Sequence, residues 1–277
     1  MSGDRLIEIT HADDPRIAEF RDIRERDLTG RESRFIAEGT VVLRLLAEAH
    51  AAGDDFVAEK VLLLRNRVGG LEAVISAFPP DVPVYVADGP ILDGIVGFHL
   101  HRGVLALGRR RAASDDMDAF LDHLPERALV LVGCGISNHD NVGSMFRNAA
   151  AFGADAVLLD ETCCDPLYRK ALRVSVGSVL TVPYRRQLND VDLLAALAER
   201  GFAIWSLSPR GTTDIRSVTS AERMALVVGT EGEGLPQAIL SRFGSVRIPQ
   251  APGLDSLNVA TASGVALFEM ASLLGRV

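Results

Sequence analysis

Leu226-Val-Val-Gly-Thr-Glu231-Gly-Glu-Gly234-Leu235 and Ile248-Pro-Gln-Ala-Pro-Gly253-Leu-Asp-Ser256-Leu-Asn258-Val-Ala-Thr-Ala262 are two Gly-rich segments, each entered from an apolar run. Each reads as a buried strand that runs into a turn and then a helix. Open α/β sheets bind their ligands at such places, outside the carboxyl ends of the strands. No Lys-Ser or Lys-Thr follows the glycines, so the phosphate-cradling loop of NTPases is absent. The pattern fits a backbone-lined pocket for a less charged, nucleotide-like ligand.

Upstream, the alternation of strand and helix extends back to Ala128. Ala128–Gly133, Ala156–Asp160, Phe202–Trp205, Met224–Val228 and Ser245–Pro249 read as strands, and Val179–Pro183 as a further extended piece. Helices are expected over Gly143–Phe152, Leu167–Val174, Val191–Arg200, Pro236–Phe243 and Ser256–Leu274. Repeated apolar strands joined by helices predict a parallel sheet covered on both faces. Residues 1–108 read as a smaller α/β domain. It has a helix carrying Val41, Val42, Leu45, Leu46 and Ala49 at helical spacing, and strands at Lys60–Arg65, Val82–Val86 and Gly103–Gly108. Short helices are expected at Leu71–Phe78 and Ile91–Val96. Residues 109–125, with Arg-Arg-Arg and Ser-Asp-Asp, read as a linker holding at most a short helix, and 126–277 as the second domain.

The chain has 277 residues, 48% of them hydrophobic and 24% charged, as in a soluble globular protein with an ample core. Its apolar stretches fall short of the roughly 18 residues that cross a bilayer, and Met1-Ser-Gly-Asp-Arg does not open a signal peptide. Cys134, Cys163 and Cys164 have no metal-ligand spacing; they are expected to be reduced, in a cytoplasmic protein without a metal. A net charge of −8 argues against non-specific coating of nucleic acid. The positive charge is nevertheless clustered and almost wholly arginine, Lys60 and Lys170 being the only lysines. Arg21, Arg24, Arg26, Arg31 and Arg34 form one cluster, Arg109–Arg111 a second, and Arg169, Lys170, Arg173, Arg185 and Arg186 a third. Guanidinium forks suit phosphate and base recognition, whereas a solvated surface is the plain alternative.

A dinucleotide-binding reading competes for the first strand of the second domain. Gly133-Cys-Gly135 follows Ala128–Gly133, and Asp160 closes the next strand. The third glycine of that fingerprint is replaced by Asn138, and the loop Ile136–Asn141 is too long and polar for it.

Asn141-Val-Gly143-Ser-Met-Phe-Arg147-Asn148-Ala-Ala-Ala-Phe152-Gly153, set beside the two terminal segments, resembles the first motif of the SpoU-type branch of the SPOUT RNA methyltransferases. Leu226–Leu235 resembles the second motif and Ile248–Ala262 the third, in the family's order over about residues 126–277. Asp165–Gly177 also has the family's look. Phe35-Ile-Ala-Glu38-Gly39 and His101-Arg-Gly103-Val-Leu-Ala are similar to the ribosomal-protein-like, RNA-binding domain often fused to it. The resemblance implies a C-terminal domain with a deep trefoil knot, S-adenosylmethionine held bent by the second and third motif loops, and a homodimer with sites near its interface. The implied reaction is methylation of a ribose 2′-hydroxyl in structured RNA, ribosomal RNA favoured over transfer RNA by the two-domain arrangement. A non-catalytic RNA-binding or ribosome-assembly protein that retains the knot is the alternative.

The resemblance places Arg147, Glu231, Asn258 and Asn141 in the catalytic set. It places Leu226, Gly229, Thr230, Gly232, Gly234, Ile248, Gln250, Ser256 and Leu257 around the cofactor. Methyl transfer from a sulfonium needs neither a metal nor a covalent nucleophile; it needs an in-line oxygen with its proton handled. Glycines at 229, 232, 234 and 253 permit close backbone approach to a ligand. The resemblance implies that Arg147 assists deprotonation of the attacking hydroxyl; phosphate clamping and charge stabilisation are the alternative, because a guanidinium normally stays protonated. Glu231 could accept from ribose, fix Arg147 or balance the sulfonium charge. Asn258 could hold the hydroxyl in line, Asn141 could orient ribose or cap its helix, and Ser256 reads as the cap of the last helix. Leu226, Ile248 and Leu257 offer apolar contacts to adenosine, or core packing. Thr230, Ala260 and Gln250-Ala-Pro depart from the family's usual residues, and His139 reads as a solvated loop residue, with a catalytic histidine as the alternative.

Overall fold

The computed structural model describes residues 5–21, 33–96, 103–111, 116–253 and 255–277. Arg24, Arg26, Arg31, His101, Arg102 and Leu254, singled out above, lie outside the described residues, as does part of the linker. The chain divides into two compact units, Met1–Ser114 with Leu167–Thr181, and Asp115–Pro166 with Val182–Val277.

Unit 1 begins with β1 (Leu6–Glu8), β2 (Arg34–Glu38), α1 (Thr40–Ala52) and β3 (Phe56–Leu64). It continues through α2 (Glu72–Ala77), β4 (Val84–Ala87), α3 (Gly89–Val96) and β5 (Val104–Arg110). Unit 2 then starts with α4 (Met117–Asp122), β6 (Ala128–Gly133), α5 (His139–Ala151) and β7 (Ala156–Leu159). The chain returns to unit 1 for α6 (Arg169–Val174). Unit 2 resumes with β8 (Tyr184–Arg186), α7 (Asp190–Glu199), β9 (Ala203–Leu207) and β10 (Thr213–Asp214). It closes with β11 (Arg223–Val228), α8 (Gln237–Arg242), β12 (Gly244–Arg247) and α9 (Val259–Leu273).

Unit 2 is built on a seven-stranded sheet of order β10-β12-β9-β11-β6-β7-β8. Every pairing in it is parallel. Ala-Leu-Val-Leu-Val-Gly of β6 is buried at all positions, as a central parallel strand with both faces covered requires. On one face Val130, Val132, Leu158, Ala225 and Val227 pack with Leu193, Leu194 and Leu197 of α7 and Leu121 of α4. The opposite face is covered by α5 and α9. The two covering helices touch closely: Asn148 Nδ2 donates to Ala260 O at 2.7 Å, and a Cβ on Gly264 would lie 3.1 Å from the Asn148 amide. β6 leads to β7 on one side, whereas β11 leads to β12 on the other. The neighbouring β6 and β11 therefore flank a topological switch point, where a crevice opens above the strand ends.

Unit 1 is a mixed five-stranded sheet, β1-β4-β3-β5-β2, in which β5 runs antiparallel to β2 and β3. Its core joins Ile9, Ile36, Leu62, Leu92, Leu105 and Leu107. The segment 167–181 groups with this unit and not with residues 126–277, where the sequence reading put it. The reason lies in its packing: α6 lies on β2, Gly177 sits against Leu45 of α1, and buried Glu38 faces Arg169 at 3.8 Å and Arg173 at 3.9 Å.

Several expected boundaries move. Residues 178–180 form a 3-10 turn, and the edge strand follows it at Tyr184–Arg186. α5 starts at His139, four residues before the expected Gly143, because Asn138 Oδ1 accepts from Asp140 N at 2.8 Å and caps it. The last helix starts at Val259 and not at Ser256; its cap is Asn258, whose Oδ1 accepts from Ala260 N and Thr261 N.

The cysteine environments carry a direct expectation. Burial pushes the thiols of Cys163 and Cys164 up to about 12 and about 11, and raises that of Cys134 as well. Thiolate is the reacting form, so a thiol reagent at pH 8 is expected to label all three only after unfolding. Rapid labelling of the native protein would contradict this.

Candidate active site

The loops that leave β9, β11 and β12 enclose an open cleft of about 1370 Å³, larger than the roughly 300–1,000 Å³ of ordinary small-molecule pockets. Its walls are the turn 228–236, the turn 207–212, Ile248, Gln250 and residues 255–259, with Asn138 at one side. All of these lie beyond the carboxyl ends of the parallel strands, where the sequence reading expected a ligand.

The turn after β11 folds back on itself. Gly234 N donates to Thr230 O at 3.1 Å, and Thr230 Oγ1 donates to Gly234 O at 3.1 Å. Gly229 permits that closure, since a Cβ there would lie 2.7 Å from both Gly234 C and Leu235 N. Gly232 and Gly234 have φ of 97° and 73°, a left-handed region that favours glycine. Neither has an atom within 4 Å of its missing Cβ, so this part of the wall is bare backbone. Glu231 and Glu233 are exposed on the turn.

The loop after β6 is fixed from two sides. Cys134 N donates to Val228 O at 2.9 Å, and Gly135 N donates to Asp160 Oδ2 at 2.8 Å. The other Asp160 oxygen accepts from Thr162 N at 3.0 Å, Thr162 Oγ1 at 2.8 Å and Cys163 N at 2.9 Å. Asp160 is 4% exposed and fully engaged by its own loops. A ribose therefore has no carboxylate to bind there, and the dinucleotide reading fails on this residue.

Asn141 and Asn258, 117 positions apart, meet: Asn258 Nδ2 donates to Asn141 Oδ1 at 3.1 Å. Asn141 is the third residue of α5 and 5% exposed, so it does not cap the helix; Asn138 does. Its Nδ2 is buried without a hydrogen-bond partner, an open donor beside the cleft-lining Asn258. Gln250 similarly presents a buried Oε1 without a donor. A buried group left so costs about 1–3 kcal/mol, which a ligand can relieve.

The cleft takes in Gly229, Thr230, Glu231, Gly232, Gly234, Ile248, Gln250, Ser256, Leu257 and Asn258. Of the residues expected around the cofactor, Leu226 alone does not line the cleft: it is fully buried in β11, paired with Leu131 and Trp205. Arg147 is exposed on α5 and outside the cleft lining. Ser256 is exposed in the cleft wall and plays no part in capping. The sequence reading missed the wall built by Ser208, Pro209, Arg210, Gly211 and Thr212. A Pro and a Gly directly after an apolar strand were the available signal. Among the described residues no cluster of His, Cys, Asp or Glu could hold a metal ion, and no helix is long and apolar enough to cross a membrane.

Residues 128–268, which carry all three cleft loops and the Asn141–Asn258 pair, match the SpoU rRNA Methylase family. The chain belongs to that family. An uncharacterised tRNA/rRNA methyltransferase of Mycobacterium tuberculosis (strain CDC 1551 / Oshkosh) is 38% identical over 95% of this chain and 90% of its own length. The 23S rRNA (guanosine-2'-O-)-methyltransferase RlmB of Ralstonia nicotianae is 33% identical over 66% of this chain and 74% of its own. The fold is that of the AdoMet-bound rRNA methyltransferase from Sinorhizobium meliloti, with a TM-score of 0.79 and 23% identity over 96% of this chain and 97% of that one. For this SpoU-family chain the Gly-rich turn and the Asn258 segment fall within the matched region.

Proposed function

We propose that the protein methylates a ribose 2′-hydroxyl of structured RNA with S-adenosylmethionine, ribosomal RNA being preferred to transfer RNA. The observation that carries the reading is the glycine-walled cleft whose lining residue Asn258 is tied to Asn141. Family membership and the names of the relatives, one of them a 23S rRNA 2′-O-methyltransferase, support it.

The site residues fit the cofactor. Bare backbone at Gly232 offers N–H and C=O groups to an adenosine, Gly234 leaves the space beside it open, and the donor-less Gln250 Oε1 offers an acceptor. Ile248 and Leu257 supply apolar wall, and Thr230, Gly229 and Ser256 complete it. When bound, the cofactor supplies an electrophilic methyl group. Asn258 orients the attacking hydroxyl through the Nδ2 hydrogen that Asn141 does not use, and Asn141 fixes the plane of that amide. Glu231 balances positive charge at the cleft. Arg147, exposed on α5, clamps an RNA phosphate beside the site with its fork of N–H donors.

Three further features belong to the proposal: a C-terminal backbone threaded as a trefoil knot, a homodimer, and a cytoplasmic site of action. The dimer is supported by the exposed Val265 and Phe268 on α9, at 41% and 49% exposure, with Phe268 edge-on to Phe152 at 5.9 Å. RNA binding by unit 1 is supported by the arginines of α6.

The test is transfer of labelled methyl from S-adenosylmethionine to unmodified RNA, split into ribosomal and transfer pools. Label resistant to alkaline cleavage at one nucleotide of ribosomal RNA is expected. Arg147→Ala should lower transfer at least tenfold while cofactor affinity holds. RNA binding with no transfer to any pool would favour the non-catalytic alternative.

A further inference from the structure

Among the described residues lining the cleft, Arg210 is the single cation, set against Glu231, Glu233 and Asp255. It is exposed. The turn that carries it is bolted to the sheet. Ser208 N donates to Val246 O at 2.9 Å, and Gly211 N to Ser208 O at 2.9 Å. Arg210 N donates to Ser208 Oγ at 3.3 Å. Arg247 reaches across to donate to Gly211 O at 2.9 Å and Thr212 O at 3.1 Å, and Thr212 N donates to Ser245 Oγ at 3.1 Å. Gly211 lies so close to β12 that a Cβ would stand 2.3 Å from Val246 C. A guanidinium is thus presented to the cleft from a backbone that is already ordered.

An RNA strand entering this cleft carries a negative charge at every nucleotide and meets three carboxylates on the way. We infer that Arg210 binds the backbone phosphate flanking the target nucleotide and so admits RNA to an otherwise acidic cleft. This rests on the function proposed above. A fork of N–H donors suits a phosphate better than a point charge does, and the fixed backbone of the turn means that binding need order only the side chain. The rival anion is the cofactor's own carboxylate, and the two make different predictions.

The experiment compares wild type, Arg210→Ala and Arg210→Lys. It measures binding of an unmodified 23S rRNA transcript over a salt series, and S-adenosylmethionine binding by calorimetry. Arg210→Ala is expected to weaken RNA binding about five- to tenfold and to reduce the salt slope by about one, with Arg210→Lys recovering part of the loss. Cofactor affinity should stay within twofold. Unchanged RNA affinity, or a loss confined to the cofactor, would overturn the assignment while leaving the methyltransferase reading intact. A wild type that binds neither RNA nor cofactor would remove that reading and this inference together.

Discussion

Asn258→Ala is expected to lower methyl transfer by about 100- to 1,000-fold, the range seen when one fixed donor is removed from a reacting centre. Two effects are combined in that variant. Losing the cap of α9 leaves Ala260 N and Thr261 N without their acceptor, at a stability cost of about 1 kcal/mol. Losing Nδ2 also removes the hydrogen bond to Asn141 Oδ1 and the donor proposed for the attacking hydroxyl. Asn258→Asp separates them. The aspartate keeps an oxygen at the cap, where a helix N-terminus favours negative charge, yet it cannot donate to Asn141. Thermal melting of Asn258→Asp should therefore match wild type while its transfer rate falls nearly as far as that of the alanine variant. Equal transfer by Asn258→Asp and wild type would reduce Asn258 to a helix cap and transfer the orienting role elsewhere.

The parallel sheet of unit 2 was legible because its central strands β6, β7 and β11 are almost uninterrupted apolar runs. Residues such as Leu129, Leu131 and Val227 are fully buried, and burial on both faces leaves that signature. The short elements were not legible. β10 has two residues, and β1 has three with only partial burial, too little for any periodicity. The helix starts were misplaced for a chemical reason. Asn138 and Asn141 both suit a cap before α5, as Ser256 and Asn258 do before α9, and only the backbone path selects one of each pair.

That the glycine turn and Asn258 would line one cleft was legible from sequence, since a Gly-rich turn after an apolar strand ends at the carboxyl edge of the sheet. Leu226 falls outside the cleft lining because a strand that is buried on both faces gives no sign of where the core ends and the cleft begins. The Arg210 turn was overlooked because its geometry depends on contacts with β12, more than thirty residues on. The same holds for segment 167–181: its apolar residues read as part of the nearer domain, and their partners Val42 and Leu45 lie over a hundred residues upstream.

Gly229→Ala should have the second large effect, and it tests the cofactor wall independently of the chemistry. The added Cβ would sit 2.7 Å from Gly234 C and Leu235 N. Both are backbone atoms, so no side chain can swing aside. Relief requires opening the Thr230–Gly234 closure, which two hydrogen bonds of 3.1 Å now hold. Overpacking of this kind costs about 1–3 kcal/mol, and the opened turn no longer presents the same backbone groups to a ligand. A loss of S-adenosylmethionine affinity of at least about 100-fold is expected by calorimetry, with the protein still folded. Gly232→Ala is the contrast. Nothing lies within 4 Å of its Cβ, and only the φ of 97° resists the substitution, a cost of about 1–2 kcal/mol for a left-handed residue. Its effect on affinity should be the smaller of the two. The reverse order would mean that Gly232, through its positive φ, sets the shape of the wall, and that the packing of Gly229 against Leu235 merely ends the strand.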